Sequence, residues 1–248
     1  RTQIDTSGNW SLEVTPADLA LIGDGTYTVT ANASSEAGNP AAGSAQLVVD
    51  TRAPTVTINT ITDDNILNKD ESALEIVVSG KVSGAAENDV VYVLLAGKTY
   101  EATVDASLNW QATIPANELS AIGDGALTIT ASVTNSHGNL GSAQHDFMVD
   151  YNEPGIRFDI VAGDDVINLS EHNQALVVKG SSEDLPVGAK VTLVIGAKSY
   201  SGVVAADGSW SVGIDAADVK QWNEGKLEMT VSASSAAGNK VEISHEVT

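Results

Sequence analysis

The sequence has 248 residues, enough for one large domain or two to three small ones, and it contains no cysteine and few aromatic residues. Thirty-three Asp and Glu against twelve Lys and Arg give a formal net charge of −21, which disfavours nucleic acid and anionic membranes as partners. No apolar run approaches the roughly 18 residues of a membrane span, so membrane insertion is not expected.

A repeat of 100 residues organises the chain. Its clearest markers are three tryptophans and three Gly-Asn pairs: Trp10, Trp110 and Trp210, and residues 38–39, 138–139 and 238–239. A period of this length is typical of domains of about one hundred residues. We therefore expect the C-terminal half of a domain at 1–50 and complete domains at 53–150 and 153–248. The half-domain lacks the strands that would cover its inward-facing side chains, so it is not expected to be stable alone.

Apolar and polar residues alternate with period two inside each copy, as in half-buried antiparallel strands. In the middle copy this pattern predicts seven strands, near 54–60, 73–82, 90–96, 99–105, 109–114, 126–134 and 141–149. Short helical turns are expected near 16–19, 115–119 and 216–219. These elements predict an all-β chain of tandem immunoglobulin-like β-sandwich domains. The short linkers, poor in Gly and Ser, predict that the domains are arranged end to end.

Aspartates recur at three places that a sandwich of this topology brings to its C-terminal pole: the loop after the first strand, the turn before the sixth strand, and the end of the last strand. They are Asp64 and Asp164, Asp24 and Asp124, and Asp50 and Asp150. In the middle copy, Asp64, Asp124 and Asp150 are expected to lie together, where they repel one another unless a cation lies among them. Oxygen ligands in loops favour Ca²⁺ over Zn²⁺ or Mg²⁺. Turn formation, which Asp and Asn beside Gly also favour, is the alternative for each residue.

The sequence contains no Ser–His–Asp spacing, no Gly-rich phosphate loop and no cysteine cluster, and its acidic pairs flank no evident cleft. An enzyme is therefore not expected. A glycan-binding module is the alternative function, and it requires an exposed aromatic residue with polar groups nearby. Only Trp222, Tyr92 and Tyr151 approach that description, because the repeated tryptophans are expected in the core.

The 100-residue period, the closing Val-Asp-Thr-x-Ala-Pro, the loop at 64–68 and the ending Ala-Gly-Asn resemble the bacterial immunoglobulin-like repeats of giant non-fimbrial adhesins exported by type I secretion. The resemblance covers the whole chain. It implies a secreted virulence protein at the bacterial cell surface, in which these repeats form a Ca²⁺-rigidified spacer that supports host-cell adhesion. It also implies neighbouring repeats as partners, with host-cell glycans as the alternative partner, and Ca²⁺ held near domain junctions by the six aspartates. The third copy departs from the pattern, with Glu224 where Asp is expected.

Overall fold

The computed structural model describes residues 1–248, which form a β-hairpin followed by two β-sandwiches. The first unit has three elements: α1 (Pro16–Leu19), β1 (Gly25–Ser34) and β2 (Pro40–Val49). None of the helices has the length and apolar character that crossing a membrane requires.

The middle unit is a two-sheet sandwich with eight strands and two short helices. They are β3 (Thr55–Val56), β4 (Ile66–Asn68), α2 (Lys69–Ser72), β5 (Ile76–Ser83), β6 (Val90–Leu95), β7 (Lys98–Thr103), β8 (Asn109–Ile114), α3 (Ala116–Leu119), β9 (Gly125–Thr134) and β10 (Leu140–Asp150). One sheet has the order β3-β5-β8 and the other β4-β10-β9-β6-β7. All pairs are antiparallel except β4 with β10, which is parallel.

The third unit repeats this plan. It contains β11 (Gly155–Phe158), a 3-10 helix (Glu171–Asn173), β12 (Leu176–Glu183), β13 (Lys190–Ile195), β14 (Lys198–Val204), β15 (Ser209–Ile214), α4 (Ala216–Val219), β16 (Leu227–Ser234) and β17 (Lys240–Val247). Here β14 pairs with β15 at two positions, so the strands form one continuous sheet, β11-β12-β15-β14-β13-β16-β17. The expected all-β fold of tandem immunoglobulin-like sandwiches is confirmed, and the predicted helical turns lie at α1, α3 and α4.

The cores of the two sandwiches follow from the alternation. Val91, Val93 and Ile129 point inward from neighbouring strands and are fully buried. Trp110 is 2% exposed and packs beneath Gly80, where an added Cβ would lie 2.8 Å from the tryptophan Cζ2 atom. A side chain at position 80 would also lie 1.8 Å from the Thr57 carbonyl oxygen, so only glycine lets the strands close over this core.

The first unit has no core of its own, since none of residues 1–50 is buried. Its hairpin corresponds to β9–β10 and β16–β17, but no strands equivalent to β3–β8 cover it. Trp10, which stands where Trp110 and Trp210 do, is therefore 52% exposed, whereas each of those two is 2% exposed. The same absence of facing strands leaves Tyr27 and Val29 of β1 accessible.

Candidate metal centre at the domain junctions

Two aspartates face each other where each unit ends. One position beyond the last pair of the β1–β2 ladder lie Asp24 and Asp50. One position beyond the last pair of the β9–β10 ladder lie Asp124 and Asp150. Directly opposed residues on neighbouring strands have Cβ atoms about 5 Å apart, so two carboxylates at such positions repel each other. Two of the three elements expected at the pole, the turn before the sixth strand and the end of the last strand, thus meet in both units.

The first junction, residues 50–54 with the facing turn 135–139, carries its own cation. The Nε atom of Arg52 lies 3.2 Å from the Asp24 Oδ2 atom and 3.0 Å from the Asp50 Oδ1 atom, so one guanidinium bridges both carboxylates. Its hydrogen bonds lower the pKa of Asp50. The His137 Nδ1 atom lies 2.9 Å from the other Asp50 oxygen. One positive charge of the protein therefore offsets part of the negative charge of this pair.

The second junction, residues 150–154 with the facing turn 235–239, has the same backbone plan but no such cation. The Tyr151 N–H donates to the Asp124 Oδ1 atom at 2.6 Å. The Asn152 backbone and side-chain amides donate to the Asp150 Oδ1 atom at 3.0 and 3.1 Å. Asn152 stands where Arg52 does, and Ala237 stands where His137 does. No positively charged side chain pairs with Asp124 or Asp150, so only N–H donors face these two carboxylates.

Asp64 and Asp164 are bound within their own loops. The Asp64 Oδ1 atom accepts the Ile66 N–H at 3.0 Å and the Thr62 hydroxyl at 3.2 Å. The Asp164 Oδ1 atom accepts the Val166 N–H at 3.1 Å. Each carboxylate therefore closes a turn two residues long, which is the turn chemistry that Asp favours.

The expected cluster of Asp64 with Asp124 and Asp150 does not form, and the structure contains no group of three or more acidic, His or Cys side chains that could hold a metal ion. The reason is β4, which continues the chain from the loop along β10. Its parallel register sets Asn68 beside Asp150, so Asp64 lies four residues back along the strand. The prediction of three converging carboxylates is wrong for this structure.

An acidic residue that the sequence reasoning missed lies near the second junction. The Glu71 Oε2 atom accepts the Asn68 N–H at 3.0 Å, and the Asn68 Oδ1 atom accepts the Glu71 N–H at 2.9 Å, which closes a capping box at the start of α2. Asn168 and Glu171 repeat both hydrogen bonds. The recurring Asn-x-x-Glu spacing was the available signal. The capping box thus holds the Glu71 carboxylate against Asn68, the residue paired with Asp150.

At the end of the third unit the same region is an open cavity of about 310 Å³, lined by Trp222, Glu224, His172 and Thr248 among others. Trp222 packs against the core at the position of Ile122, and the His172 Nε2 atom lies 3.2 Å from its carbonyl oxygen. Glu224 stands at the position that Asp24 and Asp124 occupy in the other two units.

The two junctions differ in how many carboxylate oxygens are free to bind a divalent cation. At the second junction, Asp124 and Asp150 each accept hydrogen bonds through Oδ1 and have no partner at Oδ2. Oxygen donors of this type are those that Ca²⁺ prefers. These two oxygens supply part of the six to eight oxygen ligands that Ca²⁺ takes. At the first junction Arg52 occupies the space between the carboxylates, so the fit there is poorer.

Two sandwiches with a core each and a shared junction plan define a tandem immunoglobulin-like repeat protein. No protein-family model matches the sequence, and comparison with curated proteins gives no significant match. Among solved structures, a Ca²⁺-stabilised adhesin with which an Antarctic bacterium binds ice is 32% identical, and the match covers 99% of this chain and 60% of that chain with a TM-score of 0.53. This chain thus spans less than two thirds of that structure.

Two further matches come from similar proteins. A 1.5-MDa bacterial ice-binding adhesin is 27% identical over 99% of this chain and 80% of that chain, with a TM-score of 0.54. A bacterial immunoglobulin-like domain from the M. primoryensis ice-binding adhesin is 34% identical over 40% of this chain and 98% of that chain, with a TM-score of 0.32. The two neighbours with a TM-score above 0.5 are therefore bacterial ice-binding adhesins.

The alternative of a glycan-binding module finds no support in these matches. The repeated tryptophans of the two sandwiches are in the core and cannot stack on a sugar. The Tyr151 hydroxyl is engaged, because it donates to the Leu119 carbonyl oxygen at 2.8 Å. Tyr92 is exposed, but it is a single aromatic on an open strand face.

Proposed function

We propose that this chain is a spacer segment in the stalk of a bacterial cell-surface adhesin, in which Ca²⁺ bound at domain junctions fixes the angle between neighbouring repeats. The observation that carries the proposal is the pair Asp124 and Asp150, opposed at the second junction with no positively charged partner. The similarity to a Ca²⁺-stabilised adhesin supports the same ion.

Asp124 and Asp150 would hold the ion through the carboxylate oxygens that accept no hydrogen bond within the protein. When bound, a divalent cation supplies the positive charge that makes the interaction between the two carboxylates attractive overall. Asp24 and Asp50 remain predicted ligands, but there the ion has to displace Arg52. Asp64 and Asp164 also remain predicted ligands, each through the oxygen that does not close its turn, and they belong to sites separate from the acidic pairs.

Several further features belong to the same proposal. The units are 1–50, a half-domain, and 53–150 and 153–248, two complete domains, with neighbouring repeats as their partners. The protein is not an enzyme, is exported by type I secretion, and acts outside the cell in adhesion to host cells. Within the adhesins, the loop sequences resemble the SiiE type of enteric bacteria, and this finer assignment stays a prediction. The high acidity and the short linkers support an extracellular stalk that works in calcium.

Calorimetric titration with Ca²⁺ tests the metal site. We expect binding of the wild-type chain with a dissociation constant of about 10⁻⁴ to 10⁻³ M, the range of extracellular calcium modules. The Asp150→Asn variant should lose one binding equivalent. Glu101→Gln is the matched control, since it removes one negative charge from an exposed position on β7 and should leave binding unchanged.

Small-angle scattering with and without a chelator tests the mechanical part. An ion that fixes the junction should give a narrower distance distribution and a larger maximum dimension in calcium. Absence of calcium-dependent heat together with identical scattering in both conditions would refute the proposal.

A further inference from the structure

The Gly-Asn pair that recurs in every repeat contacts the preceding repeat through hydrogen bonds that involve no metal ion. In the third unit it ends the turn 235–239, between β16 and β17, and this turn faces the end of the middle unit. The Asn239 Nδ2 atom donates to the Asp150 carbonyl oxygen at 2.8 Å. The Asn239 Oδ1 atom accepts the Lys69 N–H at 2.8 Å. One side-chain amide thus joins two different elements of the preceding repeat, the end of β10 and the start of α2.

Both groups that Asn239 contacts lie at the ends of elements of the middle unit. Lys69 is the first residue of α2, and the first N–H groups of a helix have no acceptor within it. The Asp150 carbonyl lies beyond the last β9–β10 pair. Asn239 is 1% exposed, so its own amide is buried and satisfied only by this pair of contacts. The fit between the two repeats is therefore reciprocal: each satisfies polar groups of the other.

The same contact recurs at the first junction in reduced form. The Asn139 Nδ2 atom donates to the Asp50 carbonyl oxygen at 2.9 Å. Asn139 is half-buried, whereas Asn239 is buried. The hydrogen bond from the asparagine side chain to the last residue of the preceding unit is therefore common to both junctions.

Glycine precedes the asparagine for a steric reason. Gly238 has a φ of +86°, which side-chain-bearing residues rarely adopt, and an added Cβ would lie 3.1 Å from the Asn68 Nδ2 atom of the middle unit. Gly238 therefore allows the turn to place the Asn239 side chain in the junction. It also allows the preceding repeat to approach closely.

We propose that the Gly-Asn pair is a latch that docks each repeat on the end of the repeat before it without a metal ion. The latch contacts only main-chain groups of its partner, so it accepts different linker sequences. Thr51 and Arg52 at the first junction are replaced by Tyr151 and Asn152 at the second, yet the Asn-to-carbonyl hydrogen bond is the same. The partner that fits this surface is the C-terminal end of another immunoglobulin-like repeat of this kind.

The latch is distinct from the calcium site proposed above. The Asn239 Oδ1 atom is directed at an N–H group and not at the carboxylates, so it is engaged as a hydrogen-bond acceptor. A chelator should therefore remove the ion and leave the latch in place. In the chain without calcium, the metal-site proposal predicts a wider range of angles between repeats, whereas the latch predicts that the Lys69 amide stays protected.

Hydrogen exchange of the Lys69 amide, followed by NMR on the whole chain in chelator, tests the latch. We expect this amide to be protected in the wild type and to exchange at least about tenfold faster in Asn239→Ala, because its only acceptor is lost. Asn139→Ala is the matched control at the other junction and should leave Lys69 unchanged. Core amides such as Val93 report that the sandwiches remain folded.

The Asn239→Asp variant separates the latch from a metal ligand. Aspartate keeps an acceptor but cannot donate to the Asp150 carbonyl, and it adds a third negative charge beside Asp124 and Asp150. We expect it to loosen the junction in chelator, seen as faster Lys69 exchange than in the wild type. Wild-type exchange at Lys69 in this variant would overturn the proposal. Unprotected Lys69 in the wild type in chelator would overturn it as well, whatever the variants do, and would leave the calcium proposal intact.

Discussion

Replacing Asp124 with Asn should lower the stability of the middle sandwich in calcium but not in chelator. The asparagine side chain keeps an oxygen that can accept the Tyr151 N–H, so the 2.6 Å hydrogen bond at the second junction can persist. What the substitution removes is one of two opposed negative charges. In chelator the loss of repulsion with Asp150 should leave stability unchanged or slightly raised.

In calcium the same substitution removes a ligand. An ion that binds only the folded state stabilises it by about 2.7 kcal/mol when its free concentration is 100 times the dissociation constant. For a domain of about 100 residues, this corresponds to roughly 10–20 °C in the unfolding temperature. We therefore expect wild type, but not Asp124→Asn, to gain this increment between chelator and saturating calcium.

Thermal unfolding followed by circular dichroism measures the increment, with Glu101→Gln as the charge-matched control. The control should gain the same increment as the wild type, since position 101 is exposed on β7 away from either junction. If Asp124→Asn loses the same stability in chelator as in calcium, Asp124 is a turn residue and the metal role assigned to it is incorrect.

Two further substitutions test other parts of the structure. Trp210→Phe should destabilise its sandwich by about 1 kcal/mol more than Trp110→Phe does, measured by urea unfolding. The reason is that the Trp210 Nε1 atom donates to the Ser181 carbonyl, whereas the Trp110 Nε1 atom has no partner. Equal losses of unfolding free energy in the two variants would contradict this. Arg52→Asn should raise the pKa of Asp50, measured by carboxyl NMR, because the hydrogen bonds from Arg52 lower it. Asp50 thus contributes stability above the ordinary carboxyl pKa of about 3.9 that is lost as the pH falls through its lower folded value. The same variant gives the first junction the asparagine that the second junction has at position 152, and it should add a calcium-binding equivalent in calorimetry. An unchanged stoichiometry would show that Arg52 does not compete with the ion.

The strands were predictable because the alternation that marks them is also what builds the core. The segment predicted at 126–134 is β9, Gly125–Thr134, and its inward positions are those that alternate as apolar residues in the sequence. β4 was not predicted, since three residues are too few to show a period and their pairing partner, β10, is some 80 positions away. That omission produced the error at Asp64, because β4 is what sets Asn68 beside Asp150.

The junctions were predictable only in part, for a related reason. The ladder register follows from the strand pattern, so the opposition of Asp124 and Asp150 could be anticipated. What balances an acidic pair depends on single linker residues, such as Arg52, and on a turn of the next repeat, such as that of His137, and no periodicity reports such contacts. The Gly-Asn pairs were visible as a repeat, but the groups contacted by Asn239 become partners only when two repeats dock.

The two junctions differ in how they balance charge while sharing the main-chain contact made by Asn139 and Asn239. A contact to main-chain groups does not depend on the linker sequence, so the linker is free to vary its charges. Arg52 places a positive charge between the carboxylates of the first junction, whereas Asn152 contributes only N–H donors at the second. On the calcium proposal, loss of the ion should therefore widen the range of angles between repeats at the second junction more than at the first, while the Asn139 and Asn239 hydrogen bonds keep both junctions docked. Exchanging residues 52 and 152 should move the calcium-sensitive junction from one end of the middle sandwich to the other.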